Sequence, residues 1–137
     1  LPTLSSELQE DRVYNKAVIG FDQAFLDAQI QKIPSEIRES FEVIKSRDML
    51  LEFMPKGVTK AYGLSLLVRD LGLKQTEVMS IGDEENDLSM IEYAGIGVAM
   101  GNAVAQVKAV ADIVTATNEE DGVAKVVETY ILQEGSD

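Results

Sequence analysis

The clearest chemistry-bearing spacing in the 137-residue chain lies at residues 81–87, which read I-G-D-E-E-N-D. Asp83 and Asp87 stand four positions apart, and Asn86 lies beside Asp87. The apolar residues before them predict a short buried strand, followed by a helix that begins near Asp87. Two carboxylates at such a junction could hold a hard divalent cation directly or through water, as magnesium sites do. An acidic helix start that complements the helix dipole is an equally good structural interpretation.

A calcium loop of the EF-hand type fits this segment badly. Asp83, Glu85 and Asp87 match the first, third and fifth positions of such a loop. Leu88 occupies the sixth position, where an EF-hand needs glycine for its sharp turn. The segment therefore favours magnesium over calcium.

A second candidate residue is Lys60, which closes the stretch P-K-G-V-T-K and stands at a predicted helix start. A lysine near a helix N-terminus is mildly unfavourable because of the helix dipole. Its ammonium could instead meet a phosphate oxygen as a point charge. A solvated surface lysine is the alternative. Thr59 is the predicted N-cap of this helix.

Glycine-rich residues 95–102 read G-I-G-V-A-M-G-N and superficially resemble a dinucleotide-binding loop. Their spacing differs from G-x-G-x-x-G and the glycines flank a predicted strand, so we interpret them as strand-end turns. Residues 118–122, N-E-E-D-G, are interpreted as a turn with a helix cap.

Composition narrows the chemistry further. Cysteine and histidine are absent, which excludes thiolate nucleophiles, serine–histidine pairs and zinc sites built on either residue. The 24 acidic and 12 basic side chains give a net charge of -12 at pH 7, which disfavours binding to nucleic acid or an anionic membrane. No apolar run approaches the roughly 20 residues of a membrane helix. No signal peptide is visible, and we expect a cytoplasmic protein.

The elements that must position these residues form an α/β pattern after Pro55. Amphipathic helices alternate with short apolar strands there, which predicts crossover connections and a parallel sheet. The helix at 59–71 should bury Leu64, Leu67, Val68 and Leu71, and Asn102 should cap the helix at 104–111. Before Pro55 we predict a strand, a helix interrupted by proline and two strands. The predicted strands are 14–22, 41–46, 49–54, 78–81, 96–100 and 113–115, and the predicted helices are 23–40, 59–71, 87–94, 104–111 and 121–132.

The order of four motifs resembles that of the haloacid dehalogenase superfamily and, within it, the Cof-type sugar-phosphate phosphatases. The motifs read M-P-K-G-V-T-K, I-G-D-E-E-N-D-L-S-M-I, G-V-A-M-G-N-A and N-E-E-D-G-V-A. The resemblance covers about residues 51–132. It implies a partial Rossmannoid core with a parallel sheet over 55–137, preceded by part of an α/β cap domain over 1–54.

That resemblance implies magnesium-dependent hydrolysis of a small phosphorylated metabolite through an aspartyl-phosphate. Lys60 matches the family lysine that screens charge between the nucleophile and the phosphate, and Asn86 matches a phosphate-contacting asparagine. Asp83 and Asp87 match the acidic residues that hold Mg²⁺, the first as a ligand and the second in support of the metal shell. We therefore expect Lys60, Asp83 and Asp87 to converge on one anion pocket.

Two departures from the family pattern qualify this expectation. No D-x-D-G-T motif, which carries the nucleophilic aspartate, occurs in the sequence, and Ala61 replaces a usual glycine. The chain thus resembles the C-terminal portion of such an enzyme, and we expect it to be inactive alone. The strand that the family places beside residues 78–81 is also missing, so the exposed sheet edge is expected to promote self-association.

Two alternatives to an enzyme fragment remain open at this point. The missing nucleophile is also compatible with a noncatalytic binding or regulatory module of the same fold. A receiver-type phosphoacceptor domain shares acidic residues and a lysine on a parallel sheet. Its lysine would follow a later strand, whereas Lys60 precedes the strand that leads to Asp83.

Overall fold

The computed structural model describes residues 13–132, which form two three-stranded sheets. The first sheet is antiparallel, with β3 (Leu50–Pro55) between β1 (Ala17–Gly20) and β2 (Phe41–Arg47). Two short helices, α1 and α2, connect β1 to β2. The elements of this part are β1 Ala17–Gly20, α1 Gln23–Ile30, α2 Ser35–Ser40, β2 Phe41–Arg47 and β3 Leu50–Pro55.

Proline divides the helical segment of this first part, as the sequence predicts. Pro34 lies between α1 and α2, because its ring removes a backbone N–H and cannot continue a helix. Pro34 occupies the cap position and Ser35 is the first helical residue. The strand predicted over 14–22 is shorter and spans Ala17–Gly20.

The second sheet is parallel, with β5 (Ile96–Ala99) between β4 (Met79–Gly82) and β6 (Ile113–Val114). Helices alternate with its strands, so the predicted α/β architecture is confirmed. Gly82 at the end of β4 pairs with Ala99 at the end of β5, which brings the loops after both strands to one edge of the sheet. The elements are α3 Lys60–Asp70, β4 Met79–Gly82, α4 Leu88–Tyr93, β5 Ile96–Ala99, α5 Ala105–Val110, β6 Ile113–Val114 and α6 Gly122–Val127. Shorter turns of helix lie at Gln75–Glu77, Glu85–Asp87, Asn118–Glu120 and Glu128–Leu132.

The core lies between the parallel sheet and its helices. Ile91, Val98 and Val107 are the largest fully buried side chains. On α3, only Val68 of the predicted apolar stripe is buried, and Leu67 and Leu71 are 55% and 62% exposed. The prediction for these two leucines is wrong: α3 packs on α4, but Leu67 and Leu71 lie outside that contact and face solvent.

Local signals set both ends of α3. Thr59 Oγ1 accepts a hydrogen bond from the Tyr62 N–H at 3.2 Å, so the predicted N-cap is confirmed. Gly72 has a φ of 69° just beyond the helix. Its N–H bonds to the Arg69 carbonyl and the Leu73 N–H bonds to the Val68 carbonyl, both at 3.0 Å, which is a Schellman ending. These ends make Lys60 the first residue of the helix.

Within residues 13–132, β4 pairs with β5 alone, so its outer edge has no partner strand in the described part of the chain. Self-association through this edge stays a prediction, as does a domain boundary between residues 54 and 55. Among the described helices, none combines the length and the apolar character required to cross a bilayer.

Candidate functional site

Lys60 and Asp87 meet in the folded chain although 27 positions separate them. Lys60 begins α3, and Asp87 ends the short helical turn that follows β4. The Lys60 Nζ donates a hydrogen bond to Asp87 Oδ1 and forms an ion pair with it. Asp87 is 5% exposed, whereas the Lys60 side chain is 46% exposed. The pair therefore joins a buried carboxylate to an ammonium that reaches solvent.

The second oxygen of Asp87 holds the loop that leaves β4. Asp87 Oδ2 accepts hydrogen bonds from the N–H groups of Asp83 at 2.9 Å and Glu84 at 3.1 Å. Burial acts to raise the pKa of Asp87, but the Lys60 ammonium and these two N–H donors outweigh it and leave the pKa below its ordinary value. Asp87 is therefore ionised at neutral pH and organises the loop around its charge.

Gly82 makes room for this arrangement. A Cβ atom at position 82 would lie 2.5 Å from the Asp87 Cβ and 2.8 Å from its Oδ2. No real side chain tolerates such contacts, so the carboxylate can fold back against the strand end only over a glycine. The glycine of the I-G-D motif thus has a steric role in placing Asp87.

Asp83 lies on the same loop and is held by a residue from the neighbouring strand end. Asn102 Nδ2 donates to Asp83 Oδ2 at 3.0 Å, and Asn102 Oδ1 accepts from the Asn118 N–H at 2.9 Å. The predicted role of Asn102 as a helix cap is wrong, because Val104 precedes α5 and makes no side-chain cap. Asn102 instead joins the loops after β4 and β5 to the turn that precedes α6.

Sequence reasoning missed this role of Asn102 because local spacing made a cap the simplest interpretation. A signal was present in the topology. Parallel strands place their carboxyl ends side by side, so a polar residue just after 96–100 must lie near one just after 78–81. The contact between Asn102 and Asp83 follows from that arrangement.

Asn86 lies between these acidic groups and has an unsatisfied oxygen. Its Oδ1 atom is buried and has no hydrogen-bond partner among the described residues. Most buried polar atoms in folded proteins are hydrogen-bonded, so such an atom calls for an explanation such as an absent ligand or ion. This is the observation of the structure that most directly supports a ligand at the predicted site.

Negative charge is concentrated around the loop. Burial raises the pKa of Glu84, and the carboxylates of Asp83, Asp48 and Asp87 raise it further against the opposing charge of Arg47. A cation bound here would relieve this repulsion. The acidic loop is thus electrostatically suited to a divalent metal ion.

The donors present fit magnesium. Asp83 and Asp87 supply two carboxylates and Asn86 an unpartnered oxygen, and magnesium typically takes one or two protein carboxylates and completes its shell with water and phosphate oxygens. Both oxygens of Asp87 are already engaged by N–H donors, so Asp83 is the more accessible ligand. Within residues 13–132, no group of three or more Asp, Glu, His or Cys side chains is arranged to hold a metal by itself.

The antiparallel sheet contacts this loop from the other side. A polar cleft of about 140 Å³ separates the turn between β2 and β3 from the loop after β4. Burial raises the pKa of Glu85. That rise is opposed by the positive charge of Lys45, by a hydrogen bond from the Lys45 backbone and by the positive charge of Arg38. The cleft is lined by Lys45, Arg47, Asp48, Glu84, Glu85, Val104 and Gln106.

Comparison with known proteins decides the family. The family model for haloacid dehalogenase-like hydrolases matches residues 2–127. The chain belongs to this family. The resemblance inferred from the order of the four motifs is therefore confirmed, and so is the expected fold class.

Individual relatives agree with the family assignment. The chain is 49% identical over 89 residues to the stress response protein YhaX of Bacillus subtilis, which covers 65% of this chain and 31% of that protein. It is 40% identical to the 5-amino-6-(5-phospho-D-ribitylamino)uracil phosphatase YcsE of Bacillus subtilis, over 82% of this chain and 46% of that one. The solved structure of BT4131, a subclass IIB sugar phosphatase of the superfamily, matches with a TM-score of 0.75 and 34% identity, over 85% of this chain and 43% of that one. The chain therefore spans less than half the length of these relatives.

Proposed function

We propose that this chain forms the lysine- and metal-binding part of a phosphomonoesterase that acts through an aspartyl-phosphate. The observation that carries the proposal is the contact between Lys60 and Asp87 beside Asp83. It joins a cation to a carboxylate at the carboxyl end of a parallel strand, where α/β folds bind ligands, and the same carboxylate binds the backbone N–H of Asp83. The sequence contains no D-x-D-G-T motif, so the nucleophilic aspartate would come from a further segment of the same protein.

Each residue has a chemical role in this proposal. Phosphoryl transfer needs positioning and neutralisation of charge on the phosphoryl oxygens. The Lys60 ammonium, held in place by Asp87, would neutralise one such oxygen, and Asn86 would contact the phosphate by donating from its Nδ2. Asp83 would hold Mg²⁺, with Asp87 supporting the metal shell through the loop N–H groups that it binds. Bound magnesium would supply further positive charge to the phosphoryl oxygens.

The proposed substrate is a small phosphorylated metabolite such as a sugar phosphate. The support comes from the relatives, since one is named a phosphatase of a phosphoribitylamino-uracil and another a sugar phosphatase. The acidic composition of the chain agrees with a small substrate rather than a nucleic acid.

A noncatalytic binding module is the second candidate. The missing D-x-D-G-T motif favours it, because positioning groups without a nucleophile cannot form the covalent intermediate. The coding sequence upstream of Leu1 distinguishes the enzyme from the noncatalytic module. A strand followed by D-x-D-G-T supports the enzyme, and a start codon directly before Leu1 supports the module.

The direct test assays the whole gene product with magnesium on a panel of phosphomonoesters, following the release of inorganic phosphate. We expect Lys60→Met and Asp83→Asn each to lower kcat/KM by about 10²–10³-fold, the usual loss of a group that stabilises transition-state charge. Lys56→Met is the matched control, because Lys56 lies four residues away and pairs with Glu42 instead.

Wild-type protein that releases no phosphate while a control phosphatase does so would refute the hydrolase proposal. Full activity of Lys60→Met would refute the role of the lysine. The 137-residue chain alone should show negligible turnover, and magnesium-dependent turnover by it would contradict the need for a separate nucleophile.

A further inference from the structure

Asp83 is fixed by hydrogen bonds on its backbone and on its side chain. Its N–H donates to Asp87 Oδ2 and its carbonyl accepts from the Val104 N–H, both at 2.9 Å. These two bonds set the position of the backbone, but they leave the side-chain torsions free to choose among rotamers. Among the residues that the structure describes, the only hydrogen bond to the Asp83 side chain comes from Asn102 Nδ2, at 3.0 Å from Oδ2. Asn102 therefore sets the direction of this carboxylate.

That contact leaves one oxygen of Asp83 for a cation. Oδ2 accepts from Asn102, and Oδ1 makes no hydrogen bond within residues 13–132. Carboxylates that hold metal ions are commonly hydrogen-bonded by a neighbouring group, which orients the oxygen that faces the metal. The half-buried Asp83 has this arrangement, with Oδ1 as the remaining oxygen.

The other end of the Asn102 amide determines which way round it binds. The Asn118 N–H can only donate, so it requires the amide oxygen, and Asn102 Oδ1 accepts from it at 2.9 Å. An ionised carboxylate can only accept, so Asp83 requires the amide nitrogen. One orientation of the amide meets both requirements, and a flipped amide would break both contacts. Asn102 is thus held at two points although it is exposed.

The turn that presents the Asn118 N–H is closed by its own side chains. Glu120 Oε2 accepts from Thr117 Oγ1 at 2.8 Å and from the Thr117 N–H at 3.2 Å. Gly101, just before Asn102, lies against the same turn, because a Cβ there would be 2.8 Å from the Thr117 nitrogen. The Asn118 N–H therefore meets Asn102 from a position that this turn fixes.

We propose that Asn102 is a positioning residue for the metal ligand Asp83, and that the Asn118 N–H fixes Asn102 in turn. The inference rests on the proposed function, in which Asp83 holds Mg²⁺, and extends that site to the loops after β5 and β6. Asn102 acts through Asp83 and contacts neither the metal nor the phosphate. Loss of its amide should therefore weaken metal binding and have little effect on the reaction at saturating metal.

The test measures metal binding by the whole gene product without substrate. Mn²⁺ is the probe, because it takes the same oxygen ligands as Mg²⁺ and its electron paramagnetic resonance signal measures the free ion. We expect Asn102→Ala to raise the Mn²⁺ dissociation constant by about tenfold, the lower end of the usual loss for a residue that supports a metal ligand. Asn15→Ala is the matched control and should leave the constant unchanged, since Asn15 is exposed and precedes β1 in the antiparallel part.

A pair of variants at position 118 tests the anchor without changing Asn102. Asn118→Ala keeps the backbone N–H and should bind Mn²⁺ as the wild type does. Asn118→Pro removes that N–H and should raise the dissociation constant by about threefold, as for one lost neutral hydrogen bond. The backbone accommodates proline, because position 118 begins a short helical turn and Thr117 before it has a φ of -71° and a ψ of 167°.

Enzyme kinetics distinguish positioning from a merely structural role. Asn102→Ala should raise the magnesium concentration for half-maximal rate by about tenfold, and kcat at saturating magnesium should fall by less than about threefold. A structural defect would instead lower kcat at every magnesium concentration. That result would overturn the inference.

Unchanged Mn²⁺ binding in Asn102→Ala would also overturn it, and so would equal dissociation constants for Asn118→Ala and Asn118→Pro. If Asn102→Ala lowers the urea midpoint in the absence of metal, the two variants at position 118 decide.

Asp83→Asn separates this inference from the proposed function. If Asp83→Asn abolishes Mn²⁺ binding and Asn102→Ala leaves it unchanged, only the positioning role of Asn102 is refuted. If Asp83→Asn binds Mn²⁺ as the wild type does, the metal role of Asp83 and the inference are refuted together.

Discussion

The antiparallel and parallel sheets have equal numbers of strands but differ in burial. In the parallel sheet, the central strand β5 contains Val98 and Ala99, both 0% exposed. In the antiparallel sheet, the central strand β3 buries Leu51 and carries Glu52 beside it, and every residue of β1 is exposed. A strand is fully buried only where both of its faces are covered.

The two sheets therefore have different roles in the molecule. The parallel sheet has a core of its own and holds the loop with Asp83 and Asp87 rigidly at a strand end. The antiparallel sheet is less covered: its strand β1 is exposed throughout, and its Glu52 pairs with the half-exposed Lys16. Stability should therefore be concentrated in the parallel sheet, and the antiparallel sheet should tolerate change more readily.

The largest expected effect tests directly whether stability is concentrated in the parallel sheet. Ile91→Ala removes a side chain that is 2% exposed in the core of the parallel sheet and should lower the free energy of unfolding by about 2–5 kcal/mol. Ile19→Ala in β1 removes the same atoms from a residue that is 46% exposed, and should cost less than about 1 kcal/mol. Urea denaturation of both variants gives the comparison, and equal losses would contradict it.

Next in size is the steric role of Gly82. Gly82→Ala forces a Cβ into the Asp87 carboxylate and should destabilise the chain by about 1–3 kcal/mol through overpacking. Gly63→Ala is the matched control, because a Cβ at this helical position meets no atom within 4 Å. It should raise stability by up to about 1 kcal/mol through helix propensity. A tolerated alanine at position 82 would show that the loop can move aside.

A smaller effect is expected from the Asp87 charge. Asp87→Asn should cost about 1–2 kcal/mol at neutral pH, because Lys60 and the loop N–H groups lose an ionised acceptor. In the folded chain, the pKa of Asp87 lies below its ordinary value of 3.8. The stabilisation is therefore fully present above about pH 4 and is lost as the pH falls through the lowered pKa. Urea denaturation of wild type and Asp87→Asn, repeated from pH 7 into the acid range, should give free energies of unfolding that converge as the pH falls. A difference that stays constant with pH would refute the role of the Asp87 charge.

The smallest effect concerns Glu85, where the antiparallel sheet contacts the loop. Burial raises its pKa above the ordinary value of 4.5, so its charge costs stability at neutral pH. Between the ordinary pKa of the unfolded chain and the raised pKa of the folded chain, folding takes up protons. The free energy of unfolding therefore falls as the pH rises through that window. Glu85→Gln should therefore stabilise the chain by less than about 1 kcal/mol at pH 7, and the gain should vanish near pH 4. A loss of stability at pH 7 would mean that the contact with Lys45 outweighs burial.

Much of the local architecture could be predicted from the sequence, because it depends on neighbours within a few positions. Thr59 begins α3 by bonding three residues ahead, and Gly72 ends it with a positive φ that other residues rarely adopt. The alternation of apolar strands and helices after Pro55 also predicts the parallel sheet. The order of motifs led to the family and to the expectation that Lys60 would approach Asp83 and Asp87.

Tertiary structure decided what depends on distant residues. The burial of α3 could not be predicted from its apolar stripe, since Leu67 belongs to that stripe and is 55% exposed. The contact between Asn102 and Asp83 spans 19 positions, and the ion pair between Lys60 and Asp87 spans 27. Sequence spacing determines what a residue can do within one element, because that geometry is regular. Which elements meet is set by packing of the whole chain, and that packing places the charges around Lys60.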